Sequence, residues 1–285
     1  LFRSGSDPPA RVPPMRIRLK PNAVPVRMRV RRYSPPQAAF IRSKTDELEL
    51  LGLIRRNNTS QWACAPLIVP KPWSPEKYRL TVDLRPVNGQ TIQHPWPMPN
   101  IESALAELSG DTCYASIDLC NGYWQMPLDE ASQECQSFIT PDGVFTPTRV
   151  LHGQTNAVQY FQSTISNMCI SLREVILQSI DDLLFHCRSP RVLLQSLASF
   201  FLICRNHGLK LHAKKCRFYL TQVTWCGRQI SADGARFAPV QLATLTEMAP
   251  PKNGGELQQF LCALNWMRST LPEFNKLVAP LSALL

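Results

Sequence analysis

Two adjacent carboxylates, Asp181 and Asp182, interrupt an apolar run in the segment "QSIDDLLFHC", residues 178–187. Neighbouring side chains of a β-strand point to opposite faces of the sheet, so a continuous strand could not bury both carboxylates against one apolar surface. A tight turn between two short strands removes this conflict, because both carboxylates then reach solvent or a ligand. The segment therefore predicts a hairpin with the aspartate pair at its turn. An Asp-rich turn without any function has the same appearance, so the dipeptide alone does not indicate a site.

A third carboxylate, Asp118, ends another buried strand, "CYASID", residues 113–118. Clustered carboxylates repel one another and have raised pKa values unless a cation neutralises them, which favours a metal site. Mg²⁺ prefers oxygen ligands and is commonly held by one or two carboxylates together with substrate phosphates. Two such ions about 3.5–4 Å apart stabilise the attacking and leaving oxygens of phosphoryl transfer. We therefore expect Asp118, Asp181 and Asp182 to hold two Mg²⁺ ions, or Mn²⁺ in their place, if the fold brings them together.

The rest of the chain mixes strands and helices without a regular β-α-β repeat, which is typical of the α+β class. The segment "YRLTVDLR", residues 78–85, alternates apolar and polar positions and predicts a strand with one buried and one polar, basic face. The other predicted elements are helices over residues 36–56, 100–110, 156–168, 192–206 and 255–272, strands over 65–72 and 223–231, and a hairpin around 141–143.

The net charge of +10 is concentrated at the start of the chain, where residues 1–56 carry 13 of the 31 Lys and Arg but 4 of the 21 Asp and Glu. The segment "RVPPMRIRLKPNAVPVRMRVRRYSP" is rich in Pro and Arg and has no helical period, so we expect it to be extended or loosely held. Its charge suits a polyanionic partner such as nucleic acid. The alternative is a solvated extension without a partner.

The ten cysteines form no C-x-x-C pairs and no zinc-ligand spacing, which favours reduced thiols in an intracellular protein. The sequence has no run of eighteen apolar residues, so we expect no membrane-spanning helix and no membrane partner. It also begins without Met and without the apolar core of a signal peptide, and it looks like a piece of a longer polyprotein.

Seven segments follow one another in the order found in reverse transcriptases. They are "KYRLTVDLRPVN", "SIDLCNGYWQMPLDE", "TRVLHGQTNAVQYFQ", "SIDDLL", "HGLKLHAKKC", "VTWCGRQIS" and "LQQFLCALNWM". Together they cover roughly residues 38–285, and they most closely resemble the reverse transcriptases of gypsy-type LTR retrotransposons, which are part of a Pol polyprotein. The resemblance implies a right-hand polymerase fold with an antiparallel palm sheet backed by helices. It also implies a polymerase that adds dNTPs to a primer 3′ end, copied from an RNA or DNA template.

The resemblance also implies roles for individual residues. Asp118 matches the first palm aspartate, and Asp181 and Asp182 match the aspartates of the Y-x-D-D turn, where the first two bind the catalytic ions and the last supports them. Lys215 matches a lysine proposed as the general acid for the leaving pyrophosphate. Lys214 is a competitor for that role, and a solvated basic turn is an equal alternative to either.

Further matches concern the nucleotide and the primer. Arg79 matches a fingers residue that grips the incoming triphosphate, with a surface salt bridge as its alternative. Lys71 matches a second fingers cation, for which Lys77 competes. Tyr123 stands where the family has an aromatic steric gate against rNTPs, unless it is only a core aromatic. The remaining matches are Gly153, where backbone approaches template or nucleotide, and the primer-grip residues Trp225, Cys226 and Gly227.

The implied organisation is a basic extension (1–37), fingers (38–93 and 126–148), palm (94–125 and 149–231) and thumb (232–285). The chain departs from the family pattern at Ser179, where an aromatic residue is usual, and at Leu151 and Val158, where prolines are usual. These departures leave a second hypothesis open, a catalytically degenerate module that still binds nucleic acid. A third and more remote hypothesis is another two-metal phosphotransferase, such as a nuclease.

Overall fold

The computed structural model of the chain describes residues 8–71, 74–97, 100–106, 108, 110–268 and 271–285. The chain divides into two compact units, Leu1–Val223 with Ser231–Gly234, and Thr224–Ile230 with Ala235–Leu285. Helices and antiparallel sheets are mixed in it, so the predicted α+β class is confirmed. No helix within the described ranges combines the length and the apolar character needed to cross a membrane.

The helices of the described part are α1 (Pro35–Leu50), α2 (Arg85–Asn88), α3 (Ile101–Ala106), α4 (Gly122–Gln125), α5 (Glu130–Gln133), α6 (Ala157–Met168), α7 (Pro190–His207), α8 (Pro239–Thr246), α9 (Gly254–Asn265) and α10 (Phe274–Ser282). The strands are β1 (Ile54–Arg56), β2 (Pro66–Lys71), β3 (Ser74–Val82), β4 (Cys113–Asp118), β5 (Phe138–Thr140), β6 (Gly143–Pro147), β7 (Ile176–Ser179), β8 (Asp182–Cys187), β9 (Arg217–Leu220), β10 (Gln222–Trp225), β11 (Arg228–Ser231) and β12 (Gly234–Phe237).

A four-stranded antiparallel sheet with the order β7-β8-β4-β9 forms the centre of the first unit. Strands β4 and β8 are apolar along most of their length because helices α6 and α7 pack on the sheet. The aromatic ring of Phe185 on β8, for example, meets the ring of Phe200 on α7 edge-on, with centroids 5.2 Å apart. The predicted long helix ends as expected at Gly208, which takes a left-handed conformation with φ 69°.

Two smaller sheets also lie within the first unit. One has the order β1-β6-β5 and contains the predicted hairpin around residues 141–143, and the other pairs β2 with β3. The predicted helix over 36–56 was too long, since α1 ends at Leu50 and residues 54–56 form β1, which pairs with β6. The break falls at Gly52, whose φ of 67° suits glycine and ends the helix.

The basic N-terminal segment, residues 8–34, is extended as expected but is not loosely held. We call it the strap. Its backbone forms bridges from Met15 to Leu128, from Leu19 to Thr91 and from Arg27 to Ala63. Met15 is buried in the main hydrophobic core, and Leu19 packs against that core. The apolar residues between the arginines explain the difference, because they give the strap one face that packs on the first unit.

The alternating strand predicted over residues 78–85 is displaced toward the N-terminus, since β3 begins at Ser74. Strand β3 ends at Val82, and Asp83 is 3% exposed and forms ion pairs with Arg31 and Arg85. The predicted polar face therefore ends in a buried charge rather than in solvent. Arg85 already begins the short helix α2.

Strands β10, β11 and β12 form a three-stranded sheet in that order. The single strand predicted over 223–231 was wrong, because the chain turns at Cys226 and Gly227, both with positive φ. In the second unit the guanidinium of Arg228 lies 3.6 Å from the centroid of the Phe237 ring. Helix α9, predicted from its apolar period, is capped by Asn253, whose side chain accepts a hydrogen bond from the backbone N–H of Glu256.

Candidate active site

Three carboxylates gather at one end of the central sheet. Asp118 is the last residue of β4 and lies directly opposite Asp182, the first residue of β8. Asp181 sits in the turn between β7 and β8. Its Cβ lies 3.7 Å from the position that a Cβ on Gly122 would take, which places it beside the turn that follows Asp118. The fold thus brings together the three side chains that the sequence predicted as a site.

The turn that carries Asp181 has an unusual backbone. Ile180 has φ 58°, a left-handed conformation that costs a β-branched residue free energy unless its surroundings hold it there. The side chain of Gln162 accepts a hydrogen bond from the Ile180 N–H at 2.8 Å, and the side chain of Gln178 donates one to the Ile180 carbonyl at 2.9 Å. The Ser166 hydroxyl in turn donates to Gln178 Oε1 at 2.8 Å. Helix α6 therefore fixes the conformation of this turn.

Sequence reasoning missed this pair of glutamines, which we call the glutamine clamp (Gln162 and Gln178). A signal was available, because Gln162 lies on the apolar face of the helix predicted over 156–168. It is 1% exposed, and a polar side chain on a buried helix face needs hydrogen-bond partners.

The electrostatics of the site reflect the crowding of like charges. The pKa of Asp182 is raised by the loss of solvent around its carboxyl, then by the charges of Asp181 and Asp118. The ammonium of Lys215 lowers it and forms an ion pair with Asp118, with Nζ 2.9 Å from Oδ2. Lys214 uses its backbone carbonyl to accept a hydrogen bond from Arg217. Of the two lysines that the sequence offered as candidates for the general acid, Lys215 is the one that contacts a site carboxylate.

The carboxylates suit a hard divalent cation in their chemistry, since all three offer oxygen ligands and repel one another without a counter-charge. In the described residues, however, no three side chains of His, Cys, Asp or Glu are grouped as ligands that could hold a metal ion as they stand. One oxygen of Asp118 is instead engaged by Lys215. The oxygen donors of these carboxylates fit Mg²⁺.

Tyr123 lies next to the carboxylates on the short helix α4. Its ring is half-buried, 5.2 Å from the Phe161 ring and 5.3 Å from the His152 ring between centroids. Burial, and then the negative charge of Asp181, raise the pKa of Tyr123 to about 12, so the phenol is neutral. The ring therefore packs partly in the core, and the charge of Asp181 acts on its phenol.

Gly153 is exposed and has φ 95°, a conformation that favours glycine. A Cβ at this position would meet no atom within 4 Å, so the backbone is open on that side. Asn88 holds the loop, because its side-chain amide donates to the Gly153 carbonyl at 2.8 Å and accepts from the Thr155 N–H at 3.0 Å. The hydrogen bonds from Asn88 to this loop are the second feature of the site that was not predicted from the sequence.

The predicted phosphate-binding cations lie outside the central sheet. Arg79 on β3 is exposed opposite Val69, and Lys71 on β2 is exposed opposite Ser74. Lys77 is exposed on the same hairpin. Within the described ranges Arg79 has no ion pair, so the structure gives no support to the alternative of a surface salt bridge.

The three residues predicted as a primer grip belong to the second unit. Trp225 is 4% exposed, and its buried indole Nε1 has no hydrogen-bond partner among the residues that the structure describes. Cys226 and Gly227 form the turn between β10 and β11, and the Gly227 carbonyl accepts a hydrogen bond from the Ala238 N–H at 3.1 Å.

Three comparisons with known proteins bear on these residues. Residues 69–230 match the family model described as reverse transcriptase (RNA-dependent DNA polymerase). The chain is 29% identical over 265 residues to the Transposon Tf2-3 polyprotein of Schizosaccharomyces pombe (strain 972 / ATCC 24843), an alignment that covers 91% of this chain and 19% of that polyprotein. The Transposon Tf2-7 polyprotein of the same organism is 28% identical over the same length. The chain thus spans about a fifth of these relatives.

Among solved structures, the foamy viral protease-reverse transcriptase dRH in complex with double-stranded DNA superposes with a TM-score of 0.87 at 23% identity, covering 96% of this chain and 48% of that one. The foamy viral protease-reverse transcriptase in complex with an RNA/DNA hybrid gives a TM-score of 0.86 at 24% identity, covering 96% and 37%. At this identity the likeness concerns the fold, and it confirms the right-hand polymerase fold expected from the sequence.

Proposed function

Because this chain belongs to the reverse transcriptase (RNA-dependent DNA polymerase) family, we propose that it adds dNTPs to a primer 3′ end, copying an RNA or DNA template as part of a retrotransposon polyprotein. The observation that carries the proposal is the convergence of Asp118, Asp181 and Asp182, which are distant in sequence, at one end of the central sheet. Desolvation, and then the charges of Asp181 and Asp118, raise the pKa of Asp182, so the fold holds these carboxylates together at a cost in free energy. Carboxylates kept together at such a cost suit a site that binds cations and phosphates.

In this proposal Asp118 and Asp181 hold Mg²⁺, or Mn²⁺, with support from Asp182. When bound, the ions would lower the pKa of the primer 3′-hydroxyl and neutralise charge on the triphosphate and the leaving pyrophosphate. Lys215, beside Asp118, would give its proton to the leaving pyrophosphate as the general acid. The Lys215–Asp118 ion pair supports this role, because it keeps the ammonium at the carboxylates.

The other side chains would bind and select the nucleotide. Arg79 and Lys71, exposed on the β2–β3 hairpin, would bind its phosphates, for which a guanidinium fork has the matching geometry. The ring of Tyr123 would lie under the sugar and exclude a 2′-hydroxyl. Gly153 would let the backbone approach the template or the nucleotide, and its open side supports that role.

The corresponding organisation is also a proposal. It assigns residues 38–93 and 126–148 to the fingers, 94–125 and 149–231 to the palm and 232–285 to the thumb, after the basic extension 1–37. Trp225, Cys226 and Gly227 would position the primer terminus.

A catalytically degenerate module that binds nucleic acid is the second candidate. Ser179 favours it, because this residue lies opposite Asp182 in the sheet where the family usually has an aromatic ring. Loss of that ring would weaken packing under the primer end while leaving the carboxylates in place. Both candidates predict binding to a primer–template that weakens with salt. Only the polymerase predicts incorporation of dNTPs.

Primer extension tests the proposal, with RNA and DNA templates, Mg²⁺ and all four dNTPs. The matched pair of variants is Asp181→Asn at the site and Asp46→Asn at an exposed position of α1. The polymerase proposal is supported if the wild-type chain and Asp46→Asn extend the primer and Asp181→Asn does not. Binding without extension in every variant would support the degenerate module. Cleavage of single strands without dNTPs would point to a nuclease instead.

A further inference from the structure

The strap has one apolar face and one basic face. In "MRIRLK", residues 15–20, Met15 and Ile17 are 2% and 9% exposed, while Arg16, Arg18 and Lys20 are exposed. Alternate residues of an extended chain share a face, so this alternation turns the apolar side chains toward the core and the cations outward. The segment "VRMRVRR", residues 26–32, begins with the same alternation, and its Val26 and Met28 pack against the core.

The cations of the strap fall into two classes. Four have partners: Arg11 donates to the Arg205 carbonyl, Arg16 pairs with Asp129, Arg31 pairs with the buried Asp83, and Lys20 donates to the Gly89 carbonyl. The others are exposed, and their side chains have no ion pair or hydrogen bond with any residue that the structure describes. These four arginines, which we call the strap arginines, are Arg18, Arg27, Arg29 and Arg32. The apolar face already attaches the strap, so its packing does not explain them.

The strap runs between two segments that the proposed function assigns to nucleotide binding. These segments are the loop with Gly153 and the strand with Lys71. At one end, the Arg18 carbonyl accepts a hydrogen bond from the Ile92 N–H at 2.7 Å. Ile92 follows the loop that begins at Asn88, which anchors Gly153. At the other end, the Arg27 backbone pairs with Ala63, shortly before β2, the strand that leads to Lys71.

We propose that the strap arginines bind the phosphate backbone of the single-stranded template ahead of the position being copied. This inference rests on the proposed polymerase function, because a template is single-stranded only in the part that the polymerase has not yet copied. A row of unpaired guanidinium groups suits a polyanion of repeating phosphates. Contacts of this kind fix the position of the strand without reading its sequence, so the effect should be the same for any template.

Binding measured as a function of salt tests this proposal. The variant is Arg27→Ala/Arg29→Ala in the full chain, and the matched control is Arg173→Ala/Arg191→Ala, which removes two exposed arginines from the region of α7 and the turn before β7. The probes are a labelled primer–template with a long single-stranded template overhang and the same duplex with blunt ends. Fluorescence anisotropy gives Kd for each probe over a series of salt concentrations.

For the overhang probe, we expect the slope of log affinity against log salt to become shallower by about 0.7 for each strap arginine removed. The slope for the blunt duplex and both slopes of the control should stay at the wild-type values. The proposal is overturned if the strap variant matches the control, or if the blunt duplex loses as much slope as the overhang probe. Thermal unfolding should be unchanged, because both side chains are exposed and unpaired.

The experiment separates this proposal from the polymerase proposal. If no variant incorporates dNTPs but the overhang-specific change of slope is found, the polymerase proposal fails and the strap still binds single strands. If extension occurs and the slopes are equal, the polymerase proposal stands and the role of the strap is refuted.

Discussion

Asp118 and Asp182 face each other across two neighbouring antiparallel strands, at the point where β4 ends and β8 begins. This register brings two like charges together, and the turn before β8 adds Asp181 as a third. The pKa of Asp182 is raised by desolvation of its carboxyl and then by the charges of Asp181 and Asp118, and an ion pair joins Asp118 to Lys215. The most crowded charges of the sheet therefore lie at one end. When no cation is bound there, their mutual repulsion lowers the stability of the folded chain.

We expect Asp182→Asn to increase the stability of the chain in the absence of divalent cations. The substitution removes repulsion from Asp181 and Asp118. The gain should be only roughly 0.5–1 kcal/mol because, although the Asp182 carboxyl is partly desolvated, the residue as a whole is exposed and solvent screens these charges. Urea unfolding in EDTA measures it. Added Mg²⁺ should stabilise the wild-type chain more than the variant. A variant that is less stable than wild type in EDTA would show that the carboxylates are not in conflict.

Lys215→Ala should slow nucleotide incorporation by about 10²-fold if this ammonium serves as the general acid. Lys214→Ala, one position earlier, is the matched control and should keep the wild-type rate, because the structure gives its side chain no contact with the carboxylates. Single-turnover primer extension measures the rate. Equal losses in the two variants would mean that only the overall charge of this turn matters.

Local patterns predicted much of the fold because their causes are local. The hairpin at residues 141–143, the turn at the aspartate pair and the end of α7 at Gly208 follow from residues within a few positions of each feature. The errors came from longer-range effects. An apolar period that continued past Leu50 concealed the change from helix to strand, because β1 is decided by its pairing with β6, far along the chain.

The candidate site was predictable only in part. The three aspartates stood out because charges in apolar strands are costly, but their convergence depends on the register of β4 and β8. The place of Gln162 on an apolar helix face indicates a buried polar side chain, but its partner could not be assigned from sequence, since that partner is the backbone of Ile180, whose positive φ appears only in the folded chain. The packing of the strap was not predicted from the sequence. Its arginines and prolines indicated a solvated segment, whereas the apolar residues that alternate with the arginines bury one face.

Gln162→Leu should destabilise the chain and slow catalysis. It leaves the N–H of Ile180 without its partner, which costs about 1–3 kcal/mol if the group stays buried. The turn that carries Asp181 should then relax from its left-handed conformation, so kcat should fall by more than KM rises. Ser163→Ala is the control on the same helix, because its hydroxyl donates only to the Tyr160 carbonyl. Unfolding and steady-state extension are the measurements, and a loss of stability with unchanged kcat would remove the clamp from the mechanism.

Gly122→Ala tests how closely the turn after Asp118 approaches helix α6. An added Cβ would lie 2.9 Å from the Phe161 ring, and this ring is fully buried and cannot move aside. We expect a loss of about 1–3 kcal/mol in the free energy of unfolding, as for other cases of overpacking. Gly89→Ala is the control, since a Cβ there would approach no atom closer than 3.5 Å. Equal stability of the two variants would contradict the close contact.

The buried Asp83 should make stability depend on pH in the acid range. The hydrogen bond from the Arg85 side chain, with further help from the Arg31 charge, lowers the pKa of Asp83 to about 2 even though burial opposes this. A carboxyl with a depressed pKa stabilises the folded chain above its unfolded pKa of about 4, and this contribution is lost as the pH falls toward 2. The shift corresponds to at most about 2 kcal/mol, because Arg85 is largely exposed and its charge is screened.

Asp83→Asn should therefore lower the free energy of unfolding near neutral pH, and the difference from wild type should shrink as the pH falls from about 4 toward 2. Denaturant unfolding at a series of pH values measures both curves. Asp142→Asn is the matched control, since the Arg42–Asp142 pair is more exposed and should contribute about 1 kcal/mol or less. A difference between Asp83→Asn and wild type that stays constant down to the lowest pH would mean that Asp83 contributes through packing rather than through its charge.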